Sequence, residues 1–298
     1  MAYLTIYQQF IAHAIGAINV TNSPSQTIKS DTGQPSWEIL LAQCIDSIGE
    51  DQFHANLIDA LKFLVDFDNS VVFAYYKRKK PLCLNHTFSV ESRVVFVDDY
   101  LKGPYLLDPF FKACNCHIDP GLYRLRDIAP DRFYQSEYYR SYYVRTGLSE
   151  EICYIFYLES GAAFAVSLMR SEESTRFSAR EFRLLVNVAP IMISIAQRHW
   201  HGISDSFYSE TESIEKQEDH SQIEKAVGDL FGHRITPRET QVVAQILEGH
   251  SSESTANSLG ISAGTVRIHR RNIYAKLQVS SQQELFSIFF KNITALHE

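Results

Sequence analysis

Four cations, Arg267, Arg270, Arg271 and Lys276, fall within ten residues, and no acid interrupts them from Ser262 to Leu277. Ammonium and guanidinium groups at that density can neutralise phosphate oxygens, and an arginine can also present both arms of its fork to guanine O6 and N7. At about 100° per residue, Val266, His269, Ile273 and Leu277 share one helix face and should pack inward. Gly264, Ile268, Arg271 and Ala275 lie opposite, flanked by Thr265, Arg267 and Asn272. An apolar inner face under a cationic outer face suits a helix entering the major groove. The plainer alternative is a solvated basic face.

Other residues could do chemistry but lack the company it needs. Cys114-Asn115-Cys116-His117 could be a thiol or metal feature, yet no second Cys or His pair stands at ligand spacing, so ordinary thiols are expected and no metal. Asp66, Asp68, Asp98 and Asp99 suggest a phosphoacceptor, but the alternating parallel β-α order of a receiver domain is missing. There is no Walker loop, Gly-rich dinucleotide turn or nucleophile elbow. The chain is therefore expected to have no catalytic residues and no cofactor, and not to be an enzyme.

The cationic helix needs neighbours, and the last residues supply them. Thr236-Pro237-Arg238-Glu239 has the spacing of a capping box with Pro at the first helical position. Val242, Val243, Ile246 and Leu247 form the stripe of that helix, and Gly249 is a natural stop. Ser252 to Leu259 predicts a second helix ending at Gly260. Ser262 caps a third, Ala263 to Leu277, and Ser281-Gln282-Gln283-Glu284 opens a fourth toward Thr294. Two helices around a short glycine-bearing turn suggest helix-turn-helix.

Upstream the signals are mixed. Trp37, Leu40, Leu41, Cys44, Ile45 and Ile48 recur at helical spacing, continued by Leu57, Leu61 and Leu64. Ser70 to Tyr76 reads as a buried strand. Ile152 to Leu158 and Ala162 to Met169 read as two strands joined through Glu159-Ser160-Gly161, an antiparallel hairpin. Asp131 to Arg145 predicts a tyrosine-rich helix. Ser178-Ala179-Arg180-Glu181 is a capping box for a helix running toward Trp200. Lys77 to Asp119 receives no assignment.

The chain has 298 residues and a formal net charge of −7, so bulk charge does not advertise nucleic acid and any basic surface must be local. Its length suits two domains of about 100–200 residues. Residues 201–225 hold seven acids against two lysines, with few apolar residues, and read as a linker. We therefore expect a domain at 1–200, an acidic linker at 201–228 and a second domain at 229–298. The five cysteines, an odd number, and a first segment without a basic region or clear cleavage site lead us to expect a reducing, cytoplasmic setting. No apolar run approaches the roughly 20 residues of a membrane helix.

Read together, Ile235-Thr236-Pro237-Arg238-Glu239, Leu247-Glu248-Gly249, Leu259-Gly260-Ile261-Ser262, Thr265-Val266-Arg267-Ile268-His269, Ile273 and Lys276-Leu277 resemble the LuxR-type DNA-binding domain, over roughly Arg234 to Phe290. The resemblance implies an all-α four-helix module whose third helix enters the major groove of double-stranded DNA and whose fourth commonly serves dimerisation. It places Thr265, Arg267, Ile268, Arg270, Arg271 and Lys276 toward DNA. Ser252-Glu253-Ser254-Thr255-Ala256 stands where the family often has Asn-Lys-Glu-Ile-Ala, so Glu253 replaces a frequent cation, and Gln278 stands where Gly is usual.

A second resemblance joins Phe96, Tyr100, Asp108 and Asp108-Pro109, the run Tyr138 to Leu148, and Gly161 to Leu168 to the autoinducer-binding domain that precedes LuxR-type helices. It implies an α+β, GAF/PAS-like α-β-α sandwich on an antiparallel sheet, enclosing a small molecule held by Phe96, Tyr100, Tyr105, Asp108 and Tyr138. Phe96 stands where Trp is usual and cannot donate an indole hydrogen bond; Glu151 stands where Gly is usual. The alternative is that Asp108 only caps or turns the chain before Pro109 and the rings form a plain core. The expectation is a homodimeric transcriptional regulator with DNA as partner, a small molecule and RNA polymerase as further partners, and no membrane. The rival is a ligand-independent regulator or an interaction module whose N-terminal domain binds a protein.

Overall fold

The computed structural model describes residues 35–76, 79–202 and 222–295. The expectations about the first residues and most of the acidic stretch lie outside them. The first apolar stripe forms α1 (Trp37–Asp46) and α2 (Phe53–Leu64), and the β-branched run forms β1 (Asn69–Tyr75). β2 (Leu82–His86) follows, then α3 (Val90–Arg93), single turns over Val94–Asp99, Tyr100–Lys102 and Pro104–Leu107, and α4 (Pro109–Asn115). β3 (Gly121–Arg124), α5 (Leu125–Ile128) and α6 (Glu137–Ser141) lead to the hairpin β4 (Leu148–Tyr157) and β5 (Ala163–Ser171), and α7 (Ala179–His199) closes this part.

The five strands run in the order β2-β1-β5-β4-β3, every neighbouring pair antiparallel. Val72 lies opposite Val166, and Ile152 opposite Leu168. Side chains alternate across a strand, so the two faces separate cleanly. Val72, Ala74, Ile152, Tyr154, Phe156, Phe164 and Leu168 point to a core with Leu57 and Leu61 of α2, Leu185 and Met192 of α7, and Trp200 just after it. Val71, Phe73, Tyr75, Cys153 and Ala165 point to the opposite core, made with the segment between Phe88 and Tyr143. Both faces are covered, which is why the strands read as continuous apolar runs rather than alternating ones. This is the expected α-β-α sandwich.

The expected helix over Asp131 to Arg145 is broken into a turn at Phe133–Gln135, α6, and a turn at Tyr143–Thr146. Ser136 explains the break. It is extended, and its hydroxyl accepts the Tyr139 amide as an N-cap, so a new helix starts there instead of one continuing. Gly147 at φ +65° then ends the run.

The C-terminal part begins with α8 (Gln222–Phe231), which crosses the boundary expected at 228. Its Ile223, Val227 and Phe231 are buried. Then come α9 (Pro237–Glu248), α10 (Ser252–Leu259), α11 (Ala263–Leu277) and α12 (Gln282–Ala295). Thr236 and Glu239 complete the reciprocal capping box at α9, as Ser178 and Glu181 do at α7; losing such a cap costs about 1 kcal/mol. Gly249 (φ +94°) and Gly260 (φ +64°) stop α9 and α10 in the left-handed region.

Candidate functional site

α11 starts where Ser262 accepts the Thr265 amide at 3.0 Å, with the two hydroxyls 2.8 Å apart. Val266, Ile273 and Leu277 are buried as expected, while His269 is only half-buried. On the other side Arg267, Ile268, Arg271, Asn272 and Ala275 face solvent, and Ile268 is 53% exposed. An isoleucine left in water between two arginines adds nothing to the fold. It is suited to apolar contact with a thymine methyl.

The cations differ in their commitments. Among the described residues Arg271 has no hydrogen-bond or ion-pair partner. Arg267 Nη2 donates to Glu253 Oε1 of α10 at 2.6 Å. Arg270 is half-buried and reaches Tyr274 Oη at 3.4 Å and Gln282 Oε1 at 3.3 Å, bracing α11 against α12. Lys276, expected among the DNA-facing residues, gives its ammonium to Glu239 at 2.6 and 2.8 Å. Glu239 is buried, which alone would raise its carboxyl, but Lys276 and Thr236 together hold it below its usual value. Two further arginines carry structure that sequence reasoning missed. Arg234 donates to the Lys276 carbonyl at 2.6 Å, and Arg238 to the Leu259 carbonyl, so each closes a helix C-terminus with a cation.

In the N-terminal part Tyr100, Tyr105, Asp108 and Tyr138 meet in one core, and Phe96 sits at its rim, stacked on Phe88 at 4.3 Å. Asp108 serves two purposes. Oδ1 accepts the Phe110 amide at 2.8 Å, capping α4, and Oδ2 accepts the Tyr100 hydroxyl at 2.7 Å. Tyr100 in turn lies 3.1 Å from the Tyr75 hydroxyl. Phe73 packs on Tyr100 at 4.7 Å, Tyr105 meets Tyr100 edge-on at 6.2 Å, and Tyr138 stacks on Tyr142 at 5.5 Å. Burial pushes the Asp108 carboxyl up to about 6 against the pull of its Tyr100 and Phe110 bonds. Glu151, bonded by the Tyr143 hydroxyl at 3.1 Å, is pushed up to about 8 by burial and by the charge of Asp108. Cys114 is buried and Cys116 exposed; among the described residues no group of His, Cys, Asp and Glu is arranged to hold a metal. No helix among them is long and apolar enough to cross a membrane.

The family of bacterial regulatory proteins of the luxR type matches residues 233–289. A helix-turn-helix-type transcriptional regulator in the exeN 3′ region of Aeromonas salmonicida is 30% identical over 186 residues, covering 62% of this chain and 94% of that one. The chain belongs to the luxR family of bacterial regulatory proteins. It is a transcriptional regulator of that family and not an enzyme. The regulator MalT of Yersinia pestis (strain Pestoides F) is 44% identical over 50 residues, which is 17% of this chain and 6% of MalT. Among solved structures, the VqsR LBD domain from Pseudomonas aeruginosa is 24% identical, covers 55% of this chain and 96% of its own, and has a TM-score of 0.47.

In this luxR-family chain the two parts touch through residues more than a hundred positions apart. Lys112 of α4 donates to Glu248 at 2.6 Å and lies 3.4 Å from His250. Glu248 is 5% exposed; burial alone would raise its carboxyl, yet His250 and Lys112 hold it below its usual value. The Ser251 amide at the start of α10 donates to Asp131 at 3.0 Å, and the Arg132 amide to the Gly249 carbonyl at 3.0 Å. A cleft of about 320 Å³ opens along this seam beside Asp108, Lys112, Asp131, Glu248, His250 and Ser254. Of the five expected ligand residues, Asp108 borders it and the four aromatics do not.

Proposed function

We propose that this regulator binds duplex DNA as a homodimer on a two-fold site, with α11 in the major groove and the part from about residue 229 onward as the reading head. The observation that carries the reading is the solvent-facing row Arg267, Ile268 and Arg271 on a helix whose opposite face is buried. Arg267 and Arg271 supply guanine and phosphate contacts, and Ile268 the apolar contact. Thr265 at the start of the helix lies where a hydroxyl can meet the backbone. Ser287, Ile288 and Lys291 leave an outward face on α12 for a partner copy. One reading helix per chain calls for two chains to cover a palindrome. On this reading the protein works in the cytoplasm beside RNA polymerase. The test is footprinting of the full chain on duplexes it enriches from a random pool. Two equal half-sites about one helical turn apart are expected; a monomer protecting a single asymmetric half-site overturns the proposal.

Control by a small molecule is a second reading, favoured by the seam cleft of about 320 Å³ beside Asp108. That volume lies at the small end of ligand sites. A ligand there would touch both parts of the chain. Native mass spectrometry of the purified protein tests for a co-purifying molecule. Its release should lower the melting temperature, because binding stabilises the folded state by mass action.

A further inference from the structure

Glu253 lies in the first turn of α10, the positive end of that helix. α10 has no cation, and Glu253 is its only acid. Its Oε1 accepts from Arg267 Nη2 at 2.6 Å, and the two side chains are 58% and 64% exposed. An ion pair so open to water adds little to stability. It has a clearer effect on what Arg267 can do. Arg271, without a partner among the described residues, carries no such restraint and can reach a phosphate as readily as a base. Arg267 is held on one side, and a guanidinium tied through Nη2 keeps its remaining donors for a planar, two-pronged acceptor. The carboxylate also repels the phosphates that would otherwise compete for that arginine.

We propose that Glu253 is a specificity-determining positioning residue, which restrains Arg267 for base reading and denies it to the phosphate backbone. This rests on the reading of α11 as the DNA-contacting helix. Glu253 spends non-specific attraction to gain discrimination, and it does so through Arg267 rather than by touching a base.

The experiment uses the full chain, duplexes that the wild type enriches from a random pool, a panel of single base-pair changes in them, and scrambled duplexes. Glu253→Gln, Arg267→Ala and the double variant are compared across a salt series. Glu253→Gln is expected to bind scrambled DNA more tightly and to narrow the ratio of selected to scrambled affinity by about threefold. Its salt dependence should steepen by about 0.9 in the log–log slope, one added phosphate contact. The lost discrimination should fall at the same base pair as in Arg267→Ala, and the double variant should lose no more than Arg267→Ala alone. The melting temperature of Glu253→Gln should equal that of the wild type. If Glu253→Gln tightens all duplexes alike with the ratio unchanged, the carboxylate is only a repulsive charge and the proposal is overturned. An equal narrowing in the Arg267→Ala background, or a loss at a different base pair, overturns it too. Failure of the underlying reading shows itself separately, as a wild type that enriches no duplex at all.

Discussion

At the scale of single residues, side chains of one charge type have different jobs. Arg271→Ala and Arg267→Ala are expected to reduce discrimination between selected and scrambled duplexes by about 1–3 kcal/mol each, measured by competition binding. Lys276→Ala should leave that ratio unchanged and instead lower stability, by about 1–2 kcal/mol in a denaturant titration, because it orphans the buried Glu239 carboxylate. Gln278 ends α11 at φ +59°, a backbone that costs an ordinary side chain strain. Gln278→Gly should therefore raise stability by about 0.5–1 kcal/mol. The buried acids Asp108 and Glu151 shape the pH response above neutrality. Asp108 and Glu151 have folded-state values of about 6 and about 8, above their ordinary ones, so the folded protein holds protons that the unfolded chain has released. Their contribution is complete below about pH 4 and is lost as pH rises through those values. His54, held by burial at about 4, works the other way as pH rises toward about 6.5, so the test lies above that range: the melting temperature should fall between about pH 7 and about pH 9, and Glu151→Gln should flatten the fall.

At the scale of elements, what was legible in the sequence was whatever local rules specify. The capping boxes at Ser178 and Thr236, the stops at Gly249 and Gly260, and the limits of α11 follow from neighbours within four residues, and they stand where the pattern put them. The hairpin of β4 and β5 was legible because both strands are apolar and the turn is short. β2 and β3 were not, since they are edge strands of five and four residues whose pairing depends on partners far away in sequence. The Asp108 cap was foreseen as one of two alternatives; its bond to Tyr100 joins it to the core as well. The Lys112–Glu248 pair had no signal, because a charge 136 residues from its partner looks like any surface charge. α4 carries Asp108 at its start and Lys112 one turn later, so it links the tyrosine core to the turn after α9 as one rigid piece. Lys112→Met should lower stability by about 1–3 kcal/mol in a denaturant titration, since Glu248 is left buried without its cation. Gly249→Ala should do the same by a different route. Its φ of +94° disfavours a side chain, and a Cβ would lie 3.0 Å from the Phe133 backbone.

At the scale of the whole molecule, one apolar cluster runs without a gap from Phe73 and Tyr75 on the sheet, through Phe111 and Phe133, to Val243, Ile273 and Phe289 of the helical part. Ile293 near the end of α12 fits so closely against Gly103 that a Cβ there would meet it at 2.8 Å. Reading head and sandwich are thus stitched into one interior, and that decides how the protein comes apart. Backbone amides of β5 and of α9 should lose their deuterium protection together, in the slowest class, through a single global opening. Urea should give one transition whose slope matches the combined surface of both parts. A molecule that melts as one body also ages as one: damage to a tyrosine beneath the sheet would silence the DNA-reading helices as surely as damage to those helices themselves.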